Sequence, residues 1–159
     1  MTIQSKPRDI VQIGAMTLRF VADTPSIVDF EFTVPPKASV PGPRHHRDVD
    51  EVVYGLGGTL SVAIDSETHR IGAGESCFIP RGSVHFHDNP GDETARALVV
   101  LRPGSIGHRY FEEVAAKVNG PGAPDPTKIG NIMPRHGLIP AAPRGGSGIE
   151  PFPHRGVFK

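Results

Sequence analysis

Between Gly74 and Asn89 the chain reads GESCFIPRGSVHFHDN. Two short strand-like runs, ESCFIP (75–80) and SVHFHD (83–88), meet at Pro80 and Gly82, residues that bend a chain rather than extend it. Side chains two apart on a strand share a face, so His85 and His87 point the same way. The unit therefore presents two imidazoles side by side.

The flanking sequence repeats this pattern. In VDFEFTV (28–34), Val28, Phe30, Phe32 and Val34 alternate with Asp29, Glu31 and Thr33, the period-2 signature of a half-buried strand. TLSVAI (59–64) sets Leu60, Val62 and Ile64 on one face, and Asp65-Ser66-Glu67 predicts a hairpin turn into THRIG. ARALVVLR (95–102) is a further strand. Several short strands fenced by Gly, Pro, Asn or Asp predict an all-β fold. Open strand edges invite association, so a β-barrel or jelly roll is favoured over an open sheet.

Helix periodicity comes late. HRYFEEVAAKV (108–118) places Tyr110, Val114 and Val118 on one stripe with Phe111 and Ala115 beside it, and Gly120 is a natural stop. Of the 36 Gly and Pro residues, twenty fall in 1–119 and sixteen in the last forty positions. That shift predicts one domain over 1–119, ending in the helix, and a C-terminal arm over 120–159. Within the arm, PDPTKIGNIMPRHG (124–137) allows a short helix, and the aperiodic segment from Pro140 onward is read as either mobile or laid on another surface such as a partner subunit.

The chain has 159 residues, with Lys+Arg and Asp+Glu both at 17 and a formal charge of zero. Nucleic acid and anionic membranes are thereby excluded as principal partners, since neither finds its basic footprint. The single Cys rules out an internal disulfide. MTIQSKPRDIVQIG lacks the apolar stretch of a signal peptide, and LVVL (98–101) is too short to cross a bilayer. A cytoplasmic protein is expected. No G-x-S-x-G elbow or phosphate-binding loop occurs, Cys77 reads as a core thiol, and His136 and His154 read as solvated.

Four of the eight histidines form two clusters, His45-His46 and His85-x-His87. With Glu51 they offer two or three imidazoles and a carboxylate from separate strands. Such a set suits a divalent transition metal: Fe, Mn, Ni, Cu or Zn. HHRDVDE alone would also suit a solvated loop, but the ordered glycines and prolines around it argue against that.

Those positions carry a family resemblance. Gly74, Pro80, Gly82, His85 and Asn89, separated by five, one, two and three residues, resemble the second cupin motif at every fixed position. Upstream, PGPRHHRDVDEVVYGLGG (41–58) resembles the first, with Glu51 followed after six residues by Gly58. The resemblance covers residues 38–105, and PGSIGHRYFEEVA and IMPRHGLIP are similar to tails of small bacterial cupins. It implies a small antiparallel barrel, or double-sheet jelly roll, with an internal pocket. Gly58 and Gly74 would sit at tight turns, and Pro80 and Gly82 would aim His85 inward.

One position departs from the pattern. The family's first motif carries H-x-H four places before the glutamate, and counting back from Glu51 gives Arg44 and His46. Three arrangements follow. His46, Glu51 and His85 hold a metal as three ligands; or His45, turned by a bulge, or His87 supplies another imidazole; or Arg44 enters the pocket, with Glu51 as its partner, and binds an anion.

The resemblance implies a metal-dependent enzyme acting on a small organic molecule, with a dioxygenase as the leading reaction class. His46, His85 and Glu51 would be ligands, with His45 a further candidate. Glu51 would double as catalytic proton acceptor, and Arg44 and His87 would orient an anionic group. Isomerases and decarboxylases share the scaffold, and a metal-free anion-binding or sensing protein is the alternative. A homodimer is expected from the family.

Overall fold

The computed structural model describes residues 9–141. Its strands are β1 (Ile10–Ile13), β2 (Met16–Asp23), β3 (Val28–Val34), β4 (Arg44–His46), β5 (Asp50–Gly57), β6 (Leu60–Ile64), β7 (Glu67–Ile71), β8 (Ser76–Ile79), β9 (His85–Asp88), β10 (Ala95–Arg102) and β11 (Leu138–Pro140). Helices α1 (His108–Val118) and α2 (Pro126–Ile132) and a 3₁₀ turn (Met133–His136) lie between the last two strands. All strand pairs are antiparallel. They form a six-stranded sheet, β1-β2-β3-β10-β5-β8, and a five-stranded sheet, β11-β4-β9-β6-β7. Two facing sheets, rather than one closed hydrogen-bonded cylinder, give the jelly-roll form of the expected all-β fold.

Alternation places the core between the sheets. Val28, Phe30, Phe32 and Val34 of β3 are buried, as are Ala95, Ala97, Val99 and Leu101 of β10. The unpredicted β2 obeys the same rule through Met16, Leu18 and Phe20. On the outer face, Phe78, Val52 and Val100 lie in one cross-strand row, and Tyr54 and Leu98 in the next. Phe78 is 58% exposed and Tyr54 43%, which leaves an apolar patch on β8, β5 and β10.

Two glycines are dictated by the backbone. Gly58 turns β5 into β6 at φ 59°, where an added Cβ would also lie 2.2 Å from the Thr94 carbonyl oxygen. Gly82 takes φ 86° in the turn leading to β9.

The segment after Gly120 does not leave the body. Asp125 caps α2 by accepting from the Thr127 N–H at 2.9 Å. Ile129, Ile132, Met133 and Leu138 are buried in the core, and β11 pairs with β4. The boundary placed near Gly120 therefore falls inside the packed structure. Its Gly and Pro residues punctuate three short elements rather than a free arm. His136 is not solvated: its ring packs 5.4 Å from Tyr110, and Nε2 is 3.4 Å from Glu113. His154, and the arm from residue 142 onward, lie outside the described residues. At the end of α1, Asn119 accepts from Gly14 N–H at 2.8 Å and donates to the Gln12 carbonyl at 2.7 Å, fastening the helix to the β1–β2 hairpin.

Candidate metal centre

The two histidine-bearing segments are tied together by the turn between β8 and β9. Ser83 N–H donates to the Pro80 carbonyl, and Gly82 N–H donates to the His46 carbonyl at 2.8 Å. Arg81 grips Asp50 with its backbone N–H and its guanidinium, at 3.0 to 3.1 Å. The turn that aims His85 is thus anchored on Asp50, next to Glu51, and on His46 itself.

Four side chains converge inside. His46, Glu51, His85 and His87 are each less than 5% exposed. Glu51 Oε2 lies 3.3 Å from His85 Nε2 and 3.8 Å from His46 Nδ1, and Glu51 Oε1 lies 3.1 Å from His87 Nε2. One ligand atom from each of His46, Glu51 and His85 falls within 4.8 Å of the others. The His46 and His85 rings meet edge to face at 4.6 Å, and His85 and His87 at 5.5 Å.

The protonation pattern is set by these contacts. His85 Nδ1 sits 3.0 Å from the Ser83 carbonyl oxygen, which only accepts, so Nδ1 carries a proton and Nε2 is the nitrogen left facing Glu51. Burial pushes His46 down to about 3 and lowers His87 as well, so both are neutral at pH 7. Burial of Glu51 opposes its ionisation, but the facing His87 and His85 outweigh it and hold the carboxyl well below its usual range. His46 Nδ1, His85 Nε2 and both nitrogens of His87 make no aligned hydrogen bond. Neutral imidazoles and an ionised carboxylate, with unpartnered lone pairs on a common point, are what a divalent transition metal requires. The residues present fit the ion.

Arg44 and His46 share a face of β4, and both line a cavity of about 60 Å³ with Glu51 and His87. Its other walls are mainly apolar, including Phe30, Phe32, Leu101, Met133 and Leu138. Arg44 makes no ion pair with Glu51. Among the described residues its hydrogen bond is Nη1 to the Gly42 carbonyl, at 3.1 Å, and its buried Nε has no partner. The structure does not bring His45 to the cluster: it alternates away from His46 and pairs across with Ile139 of β11. Cys77 is half-buried against the core, and burial first, then Glu51, pushes its thiol up to about 11, which leaves it a poor nucleophile at neutral pH. Tyr110, Met133 and Leu138 also line the cavity without having been read as site residues. Tyr110 was visible on the helical stripe, whereas nothing local marks Met133 or Leu138.

Two antiparallel sheets around a buried His–Glu–His cluster define the class. Residues 30–101, a little under half of the chain, match the cupin domain family model, which identifies this stretch as a cupin domain. Among curated proteins, mannose-1-phosphate guanylyltransferase of Escherichia coli (strain K12) is 35% identical over 81 residues, which is 51% of this chain and 16% of that protein. Germin-like protein 3-7 of Oryza sativa subsp. japonica is 36% identical over 73 residues, 40% of this chain and 31% of that protein. The chain thus matches less than a third of the length of these relatives. Among solved structures, KdgF from Halomonas sp. aligns with a TM-score of 0.58 at 17% identity, over 65% of this chain and 94% of that one. A sugar phosphate isomerase of the cupin superfamily from Silicibacter pomeroyi aligns at 0.53 and 22%, over 57% and 60%. These likenesses show the fold.

Proposed function

We propose that this chain is a metal-dependent enzyme acting on a small, largely apolar organic molecule, with dioxygenase-type oxidation as its reaction. The observation that carries the reading is the convergence of buried His46, Glu51 and His85, whose ligand atoms fall within 4.8 Å of one another while His46 Nδ1 and His85 Nε2 have no aligned partner. His46, Glu51 and His85 would hold the ion, with His87 within reach of the same carboxylate. A bound divalent ion supplies Lewis acidity and open positions for substrate and O₂.

The protein's own groups do the rest. The apolar walls exclude water and favour O₂ and a compact apolar substrate over a polyhydroxylated one, whose hydroxyls would lack partners there. Glu51 Oε1, facing His87, accepts a proton from the substrate and shares it with that imidazole. A second reading, a metal-free anion-binding cupin, is favoured by one feature, the unpartnered Nε of Arg44.

Elemental analysis of the purified untagged protein, with His85→Ala alongside, tests the first reading. The expected result is near-stoichiometric Fe, Mn, Ni, Cu or Zn that is lost in the variant. O₂ uptake would then be recorded against a panel of small enols and aromatic acids, and isomerisation of a sugar phosphate followed in parallel by NMR. A protein that neither contains nor takes up metal overturns the reading and leaves the anion-binding one. Isomerisation without O₂ uptake would overturn the oxidative part.

A further inference from the structure

We propose that Arg44 makes metal and carboxylate binding interdependent: a small carboxylate seats on its guanidinium and supplies the metal with the ligand that the family's missing imidazole would have given. The proposal rests on the metal-centre reading above and adds to it a substrate class and a binding order.

The placement comes from the strands. Arg44 and His46 share one face of β4, and Arg44 stands opposite His85 in β9. Its side chain therefore enters the cavity among the ligands. Glu51, the carboxylate that lines the same cavity, faces three imidazoles instead. Among the described residues, no carboxylate lies within ion-pairing distance of Arg44, and Nε stays buried without an acceptor. A buried guanidinium donor left open in this way is costly unless an acceptor arrives from outside.

The charges give the coupling its sign. Glu51 contributes −1, Arg44 +1 and a divalent ion +2, so a loaded centre without substrate carries an excess of +2 in an apolar cavity. A carboxylate reduces that excess, bridges two cations that repel one another, and accepts from the guanidinium fork. Metal thus favours anion and anion favours metal by the same factor. At about 60 Å³, with aromatic and aliphatic walls, the cavity admits a short carboxylate with a compact apolar body.

The test is calorimetric. Mn²⁺ is titrated into metal-free protein with and without saturating pyruvate, and pyruvate is titrated with and without saturating Mn²⁺, each corrected for the weak Mn²⁺–pyruvate complex. The expected result is an enhancement of about tenfold or more, equal in both directions. In Arg44→Met the enhancement disappears. In Arg44→His, which restores the H-x-H pattern, Mn²⁺ binds more tightly than in the wild type and without dependence on the carboxylate. Equal wild-type Mn²⁺ affinity with and without pyruvate, or an enhancement that survives in Arg44→Met, overturns the proposal while leaving the metal centre intact. Wild type and Arg44→His that both fail to bind Mn²⁺ under every condition overturn the metal-centre reading and the coupling together. The wild-type reciprocity needs no variant, so a poorly folding substitution does not remove the test.

Discussion

Acid should destabilise the metal-free protein well above the pH at which carboxylates titrate. Burial pushes His46 down to about 3 against the pull of Glu51, while His85, Arg44 and His87 add to the fall. In the unfolded chain the same imidazole takes its proton near about 6.5. Above that pH both states are neutral there and the group contributes no pH dependence. Below it the unfolded state binds the extra proton, so stability is lost progressively as pH falls toward 3. Linkage gives a loss on the order of 1 kcal/mol at pH 5.5, growing to a few kcal/mol at pH 4.5, from His46 alone. His87, also lowered by burial, adds a loss of the same sign in the same window. Glu51 is held low, so its contribution disappears only as pH falls below its ordinary range of about 4.3. Against a typical total of about 5–15 kcal/mol these are large fractions. Urea unfolding at several pH values from about 7.5 to about 4.5, on wild type and His46→Gln, reads the effect as a falling midpoint at constant slope. The variant should fall less steeply by the His46 share. A wild-type midpoint that stays level over this range, or an identical fall in His46→Gln, would refute the assignment of a buried neutral imidazole.

Asn89 donates to the Val34 and Glu93 carbonyls at 2.9 and 2.7 Å and accepts from Gly91 N–H at 3.0 Å. Asn89→Ala strands three backbone groups and should cost about 3 kcal/mol, lowering the melting temperature by roughly 6–12 °C; an unchanged melt would show these bonds to be dispensable. In Gly55→Ala the new Cβ would lie 1.9 Å from the Gly72 carbonyl oxygen, so β5 must leave the 72–75 turn and lose the Gly55 N–H bond to Glu75. Little folded protein is expected, and wild-type circular dichroism and melting would contradict that. The homodimer is expected to form by packing the outer face of the larger sheet against a second copy. Six strands of up to eight residues offer roughly 750 Å², close to the ~800 Å² each partner gives a stable interface. The apolar Phe78–Val52–Val100 and Tyr54–Leu98 rows would form the β8–β5–β10 half of the contact, with the Arg19–Glu31 pair on β2 and β3 beside it. Sedimentation should show wild type as a dimer and Phe78→Asp as a monomer; a monomeric wild type, or a dimeric variant, removes this surface from consideration.

Much of the fold was legible because local periodicity and burial agree. The helical stripe at 108–118 is α1 to the residue, and the alternation at 28–34 and 95–102 is β3 and β10. Met16, Leu18 and Phe20 carry the same alternation, so β2 was available to the same rule although it was not predicted. The segment after Gly120 was legible only as far as a short helix within 124–137, where α2 lies. The whole is built from a seven-residue helix, one 3₁₀ turn and a three-residue strand, none long enough to show a period. Its burial depends on docking against β4 and α1, and tertiary contacts of that kind leave no mark in local sequence.

At the site, counting back from Glu51 selected positions 44 and 46, and alternation along β4 explains why that pair, not His45, faces the cavity. The pairing of Arg44 with Glu51 failed for a reason that sequence does not encode. A carboxylate surrounded by three imidazoles has no geometry left for the guanidinium. The motif's turn and clasp residues, Gly58, Gly82 and Asn89, are required by backbone conformation or buried carbonyls, and an inert jelly roll would need them equally. What separates a working pocket from an inert one is a concentration of polar atoms that the fold leaves unsatisfied. Among the described residues there are seven such buried atoms, and five of them, His46 Nδ1, His85 Nε2, both His87 nitrogens and Arg44 Nε, belong to one locus; Asp29 Oδ1 and His108 Nε2 lie outside it. Folded proteins rarely leave so many buried groups without partners, because each costs about 1–3 kcal/mol. Their concentration at one locus is a cost that a bound cation and an anion would offset together, and neither alone would satisfy both the lone pairs and the guanidinium.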